Sequence, residues 1–366
     1  MKANGSWVLA VTFVLLGGSV GAGPADPGDD GKKAVLDTEP KLTLTPALPP
    51  ASPGRLTAIE ENPTFAPNGK DRHYTNGAKL AYTTSQLSES SFWSRPFAWL
   101  GGSLFNRPTA LTDDRLEWTI FSQSIFTAEN HNRGNPDPED RPFAAWLHGG
   151  FTFLQNTDDK QLTAIDLQVG VVGPWALGRQ VQNNFHTVFG EQQVRGWSYQ
   201  IHNEPGITLS WNRHWRCNHD LGGGYSWEII PEAGATVGNV LTYAEVGALA
   251  RVGRGLKADW GPDTLQPGLT GTSYFSSERA GVNWGYDVYA GVQGRAVALN
   301  IFLDGNNFKD SRSVAKTPGV GDLVTGIELF YRDTVRLGFT FVVRSPEFYK
   351  QRGPDQFGGF NLSFGF

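Results

Sequence analysis

The sequence predicts an all-β chain, a transmembrane antiparallel β-barrel of about twelve strands with a short helix in an outer loop. Three observations carry that expectation. Segments of about ten residues alternate apolar and polar side chains, the period of a strand with one face in lipid and the other in a polar lumen. Charged residues are only 18%, aromatics reach 12% and glycines number 45 in 366 residues, a balance that suits strands better than helices. Beyond the N-terminal leader no stretch supplies about eighteen consecutive apolar residues, so a membrane span has to be built of strands.

Residues 1–22 have the layout of a secretory signal peptide: Lys2, an apolar run from Trp7 to Leu16, then the small-residue exit Val20-Gly21-Ala22. Residues 23–53 are rich in Pro, Asp and Lys without any period and are expected to be a flexible leader. Residues 54–366 then carry the barrel. Strands are expected to start near Gly54, Tyr74, Leu116, Pro142, Gln161, Gly206, Tyr225, Leu241, Gly285, Gly321, Thr334 and Phe357.

The clearest strand runs from Thr334 to Val343. Val335, Leu337, Phe339, Phe341 and Val343 fall on one face, with Arg336, Gly338 and Thr340 on the other. The last strand repeats the design with Phe360, Leu362, Phe364 and Phe366 outward, and its aromatic terminus resembles the end signal of bacterial outer-membrane barrels. An even strand number puts the loops after odd strands at one rim: residues 62–73, 128–141, 173–205, 237–238, 304–320 and 345–356. Opposite them, residues 85–114 and 253–283 are long where short turns are expected. The first carries Trp93, Phe97, Trp99 and Leu100 and reads as an interfacial helix, a plug or an error of strand count.

A formal net charge of -5 argues against nucleic-acid binding. The single cysteine, Cys217, leaves neither an intrachain disulfide nor a thiol metal cluster.

Gly170 to Trp197 holds the most informative chemistry. A strand end breaks at Gly173-Pro174 into a helical pattern with Val181, Phe185, Val188 and Phe189 at i, i+4, i+7 and i+8, closed by Gly190. Gln182 and His186, four apart, project from one side, with Glu191 just past the end. An imidazole beside an amide is a general-base arrangement, and equally a capping or packing histidine. Two further polar clusters belong to the same rim: Glu61-Asn62-Pro63-Thr64-Phe65 with the stretch from Asp71 to Gly77, and the stretch from Glu139 to Leu147. Each alone reads equally as a loop edge.

Together these motifs resemble one family, the outer-membrane lipid A 3′-O-deacylases. The matching residues are YTNG at 74–77, DRPFAAWL at 140–147, GVVGP at 170–174, QVQNNFH at 180–186, GW at 196–197, LDGNNF at 303–308 and RSPEF at 344–348, in family order from about Leu56 to Phe366. The resemblance implies a twelve-stranded barrel in the outer membrane of a Gram-negative bacterium. It also implies calcium-dependent removal of an acyloxyacyl group from lipid A at the outer leaflet. His186 would be the base activating water, with Gln182 beside it, and Asn62 and Thr75 match the family's asparagine and threonine on the first two strands.

The family has an Asp directly after that asparagine, where this chain has Pro63, and its Glu after the helix aligns with Gln192. Glu61 and Glu191 are the carboxylates available for the metal roles. Lipid A, and lipopolysaccharide generally, is the expected partner, and its phosphates make Arg133 and Arg141 the foremost candidates for pairing, with Lys309, Arg312, Lys350 and Arg352. A serine-lipase reading lacks a G-x-S-x-G elbow. The other reading is a barrel of the same fold with impaired chemistry, serving as a lipid-binding or structural protein, for which Pro63 speaks.

Overall fold

The computed structural model describes residues 52–109, 112–265 and 272–366, so the expected signal peptide and nearly all of the leader lie outside the described residues. The chain forms a closed antiparallel barrel of twelve strands. They are β1 (Arg55–Asn62), β2 (His73–Thr83), β3 (Thr112–Thr127), β4 (Ala144–Thr157), β5 (Gln161–Val172) and β6 (Glu204–Trp215, resumed as Cys217–Gly222). The second half comprises β7 (Tyr225–Gly238), β8 (Leu241–Arg254), β9 (Trp284–Asn300), β10 (Gly319–Tyr331), β11 (Val335–Arg344) and β12 (Asp355–Gly365). Both pieces of β6 pair with β7, so the interruption at Arg216 divides one stave and adds none.

Every strand pairs with its sequence neighbours, and the ends meet where β1 runs against β12, Arg55 opposite Gly365 and Asn62 opposite Gly358. Outside a few bulges the backbone donors and acceptors of the wall are thereby used laterally, the condition for strands to stand in hydrocarbon. Alternation sorts the side chains as the sequence predicts. On β11 Leu337 is 44% exposed on the outer wall while its neighbour Arg336, at 2%, points into the lumen. No described helix is long and apolar enough to cross a membrane.

The two long connections opposite the loop-rich rim do different things. Residues 84–109 stay outside: a helix, α1 (Arg95–Trp99), lies in a stretch whose Phe97 and Phe105 pack on Leu116, Phe153 and Ile165 of the wall. Residues 255–265 and 272–283 turn inward. Arg336 donates to the carbonyl of Gly261, Arg115 to that of Phe275, and the Tyr274 hydroxyl to Asp113, so these residues lie inside the lumen. Asp259, Asp287 and Glu328 gather three carboxylates there, each within ion-pair reach of Arg251 or Arg336.

At the other rim the longest loop, residues 173–203, folds down onto the outside of the wall. Ala176, Val194 and Trp197 close over Ile125, Ala128, Phe143 and Ala145 in a small apolar core separate from the lumen. That core fixes the second helix, α2 (Gly178–Phe189), against β3 and β4. Gly178, at its first turn, permits the approach: a Cβ there would stand 2.5 Å from the Ala145 Cβ and 2.8 Å from the Trp197 ring.

Candidate active site

The site lies on the outside of the barrel, where α2 meets the ends of β1 to β3 at the loop-rich rim. Its floor begins with a bulge. Tyr74 opposes Phe126 and Asn76 opposes Ile125, so Thr75 is the extra residue that leaves the ladder, and its hydroxyl lies 2.8 Å from that of Thr127. Asn62 holds the bulge from the next strand. Its Nδ2 donates to the Thr75 carbonyl at 3.1 Å, while its Oδ1 accepts from the Thr64 N–H and hydroxyl at 2.9 and 2.7 Å. Pro63 follows as the first residue of the turn that this cap opens.

The roof is the last turn of α2. Gly190 adopts the left-handed conformation (φ 72°) and closes the helix, and the Glu191 N–H returns to the His186 carbonyl at 2.7 Å. Asn183 then folds the next residues back, its Oδ1 accepting from the Val194 N–H at 3.0 Å. This brings the Gln192 carbonyl 2.7 Å from Nδ1 of His186. A carbonyl only accepts, so Nδ1 carries a proton, and Nε2 is the nitrogen turned away from the backbone. Nε2 faces two carboxylates, Asp71 Oδ2 at 3.7 Å and Glu191 Oε2 at 3.6 Å.

Asp71 also faces a second imidazole, with His131 Nε2 at 3.8 Å from the same oxygen and the two rings edge to face, centroids 6.3 Å apart. Burial pushes the Asp71 carboxyl above its ordinary range and Glu191 adds to this, against the pull of His131, His186 and a hydrogen bond from Thr75. Thr75 and His186 therefore meet through Asp71. The loop bearing Asp71 is pinned just after it: Arg72 and His73 both bind Asp355, at 3.2 and 2.8 Å, and His73 takes a left-handed φ of 58° to do so.

Of the residues singled out from sequence, His186, Gln182, Asn62, Thr75 and Glu191 come to this crevice or its walls. Gln182 is 4% exposed, and neither its Oε1 nor its Nε2 has a partner among the described residues. Glu61 does not come here. Strand alternation turns it into the lumen, where it accepts from the Tyr74 hydroxyl and the Leu265 N–H, both at 2.8 Å. Arg141 does not reach the rim surface either: it is 1% exposed, lies over the Phe126 ring and donates to Glu347 at 2.6 Å. Arg133 is exposed in the loop after β3. Of the other rim cations, Arg312 donates to the Pro136 carbonyl and Asn135, tying two loops together. Asp71 and His131 were not singled out as site residues, and the one signal for Asp71 was its place four residues ahead of Thr75.

The family described as Outer membrane protein LpxR matches residues 37–366. Among solved structures, LpxR from Salmonella typhimurium matches with a TM-score of 0.67 at 22% sequence identity, covering 85% of this chain and 100% of that one, and this likeness shows a common fold. The β domain of the Bordetella autotransporter BrkA matches more distantly, with a TM-score of 0.41 at 9% identity over 87% of this chain and 100% of that chain. The COG4313 outer membrane channel from Pseudomonas putida F1 does likewise, at 0.40 and 9% over 87% and 97%. No curated protein sequence matches. With the family match running over nearly the whole sequence and the barrel superposing on a solved LpxR, the chain belongs to the LpxR family of outer-membrane barrels, the lipid A deacylase family.

Proposed function

We propose that this barrel is an ester hydrolase that removes the 3′-linked acyloxyacyl group from lipid A at the outer leaflet. The observation that carries the reading is the orientation of His186: Nδ1 is committed to a backbone carbonyl, which turns Nε2, the nitrogen that would serve as the base, toward Asp71 and Glu191. In the reaction Nε2 takes a proton from water as the water oxygen bonds to the acyl carbonyl carbon. The imidazolium, steadied by Asp71, then returns that proton to the sugar oxygen as its bond to the acyl carbon breaks. The products are the acyloxyacyl group as a free carboxylic acid, its secondary ester intact, and a lipid A 3′-hydroxyl. Asn62 acts through Thr75, holding the bulge whose hydroxyl orients Asp71.

The family resemblance implies a calcium ion, and the donor set fits a hard cation. Asp71 Oδ1 and Gln182 Oε1 are buried without a partner among the described residues, and Glu191 Oε2 lies 3.6 Å from Nε2 of His186. Those three residues would hold the ion, Asp71 standing in for the carboxylate missing at Pro63. When bound it supplies Lewis-acid stabilisation of the ester oxyanion.

Mass spectrometry of lipid A from cells expressing the wild-type chain, with calcium, is expected to show loss of one acyloxyacyl group. His186→Ala and wild type treated with a chelator are expected to leave lipid A intact. Intact lipid A in the wild-type sample would instead support the impaired barrel for which Pro63 speaks.

A further inference from the structure

The flank of α2 presents a surface that the hydrolytic reading does not use. Trp175 and Leu177 at its start are 68% and 46% exposed, and Val181, Phe185 and Val188 along it are 41%, 48% and 78% exposed. At 3.6 residues per turn Leu177, Val181, Phe185 and Val188 form one stripe, roughly a third of a turn from Gln182 and His186. A surface helix ordinarily turns its apolar stripe into protein and its polar residues to water. Here the polar pair is buried against the wall, at 4% and 6% exposure, and the apolar stripe is not. The remaining side of the helix, with Gln180, Asn184 and Thr187, is polar and exposed.

Three sides of three characters, one on protein, one apolar and one polar, suit a helix lying along a membrane boundary with its apolar flank in the acyl layer. The stripe also continues a surface of the same kind. Trp175 and Leu177 directly follow β5, whose outer face carries Val169 at 54% exposure, and beside it β6 turns out Ile207 and Leu209 at 49% and 47%. Those positions belong to the outward apolar band of an outer-membrane barrel.

We infer that α2 rests in the outer leaflet with the stripe from Trp175 to Val188 packed against lipid acyl chains. The crevice under the helix then opens sideways to the bilayer, and an acyl chain reaches His186 along the outside wall, on which the helix lies. This last step rests on the hydrolase reading; the seating of the helix does not.

The test is depth-dependent fluorescence quenching in the full chain with Cys217→Ser. A single environment-sensitive fluorophore is attached at Val188→Cys, Val181→Cys, Thr187→Cys or, as a wall control, Val252→Cys on β8, which is 48% exposed. Each protein is reconstituted in phosphatidylcholine vesicles whose acyl chains carry a doxyl spin label at mid-chain. Labels at 181 and 188 are expected to be quenched as strongly as the label at 252, and several-fold more than the label at 187. Quenching at 181 and 188 no greater than at 187 overturns the inference. The readout needs no turnover, so its failure leaves the hydrolase reading standing, and an inactive enzyme leaves the seating of the helix standing.

Discussion

Asp71→Asn isolates one charge at the centre of the proposed chemistry, because asparagine keeps the shape of the side chain and removes only its anion. The carboxylate lies 3.7 Å from Nε2 of His186, the atom that becomes positive as it takes the proton. A pair at that separation is worth about 1 kcal/mol at the dielectric constant of water and about 4 kcal/mol at an effective value of about 20. The Asp71 side chain is 27% exposed, so solvent screens part of this. A loss of about 1 to 3 kcal/mol in transition-state stabilisation follows, or about 5-fold to about 150-fold in kcat/KM. The assay is release of the acyloxyacyl acid from purified lipid A by the barrel in detergent micelles, with heat-modifiable gel mobility to confirm that the variant is folded. A folded Asp71→Asn protein within twofold of wild type would refute the argument, since neither the role given to this carboxylate nor its seat beside His186 could then be right.

Gly178→Val is expected to lift α2 from the wall, because the new Cβ would stand 2.5 Å from the Ala145 Cβ. Activity should fall about 100-fold or more through misplacement of His186, while the guanidinium midpoint of the barrel barely moves; a large stability loss would contradict this. Glu347 gives a pH dependence. Burial works to raise its carboxyl, but the guanidiniums of Arg141 and Arg344 prevail and hold it at about 2, below the ordinary 4.5. A depressed carboxyl stabilises the fold above its unfolded pKa and loses that contribution as pH falls through its folded value, here between about 4.5 and about 2, an effect of about 3 kcal/mol. Wild type should therefore lose more stability over that interval than Glu347→Gln in denaturant titrations, and parallel losses would count against the ion pair.

The barrel was legible because alternation is a local property: two neighbouring residues, such as Arg336 and Leu337, already reveal which side of the wall each occupies. The helix with Gln182 and His186 was legible for the same reason, through its 3.6-residue period. Glu61 is instructive in the other direction. Its neighbour Asn62 caps a turn at the outer wall, so parity alone turns Glu61 to the lumen, and that inference was available before any coordinates. Asp71 and His131 sit in aperiodic loops, and nothing local marks which loop carboxylate will meet an imidazole brought from another strand connection. Arg141 looked like a rim cation because its partner Glu347 lies 206 residues away. The inward course of residues 255–265 carried no periodic signal either, and only the lumen arginines that bind its carbonyls reveal it.

That inward stretch has a physiological corollary. A bore into which the barrel's own chain folds, tied by Arg336 and Arg251 of the wall, is narrower for ions and nutrients than an open pore of the same strand number. An outer-membrane barrel filled in this way therefore adds less leak to its membrane than an open pore of twelve strands would.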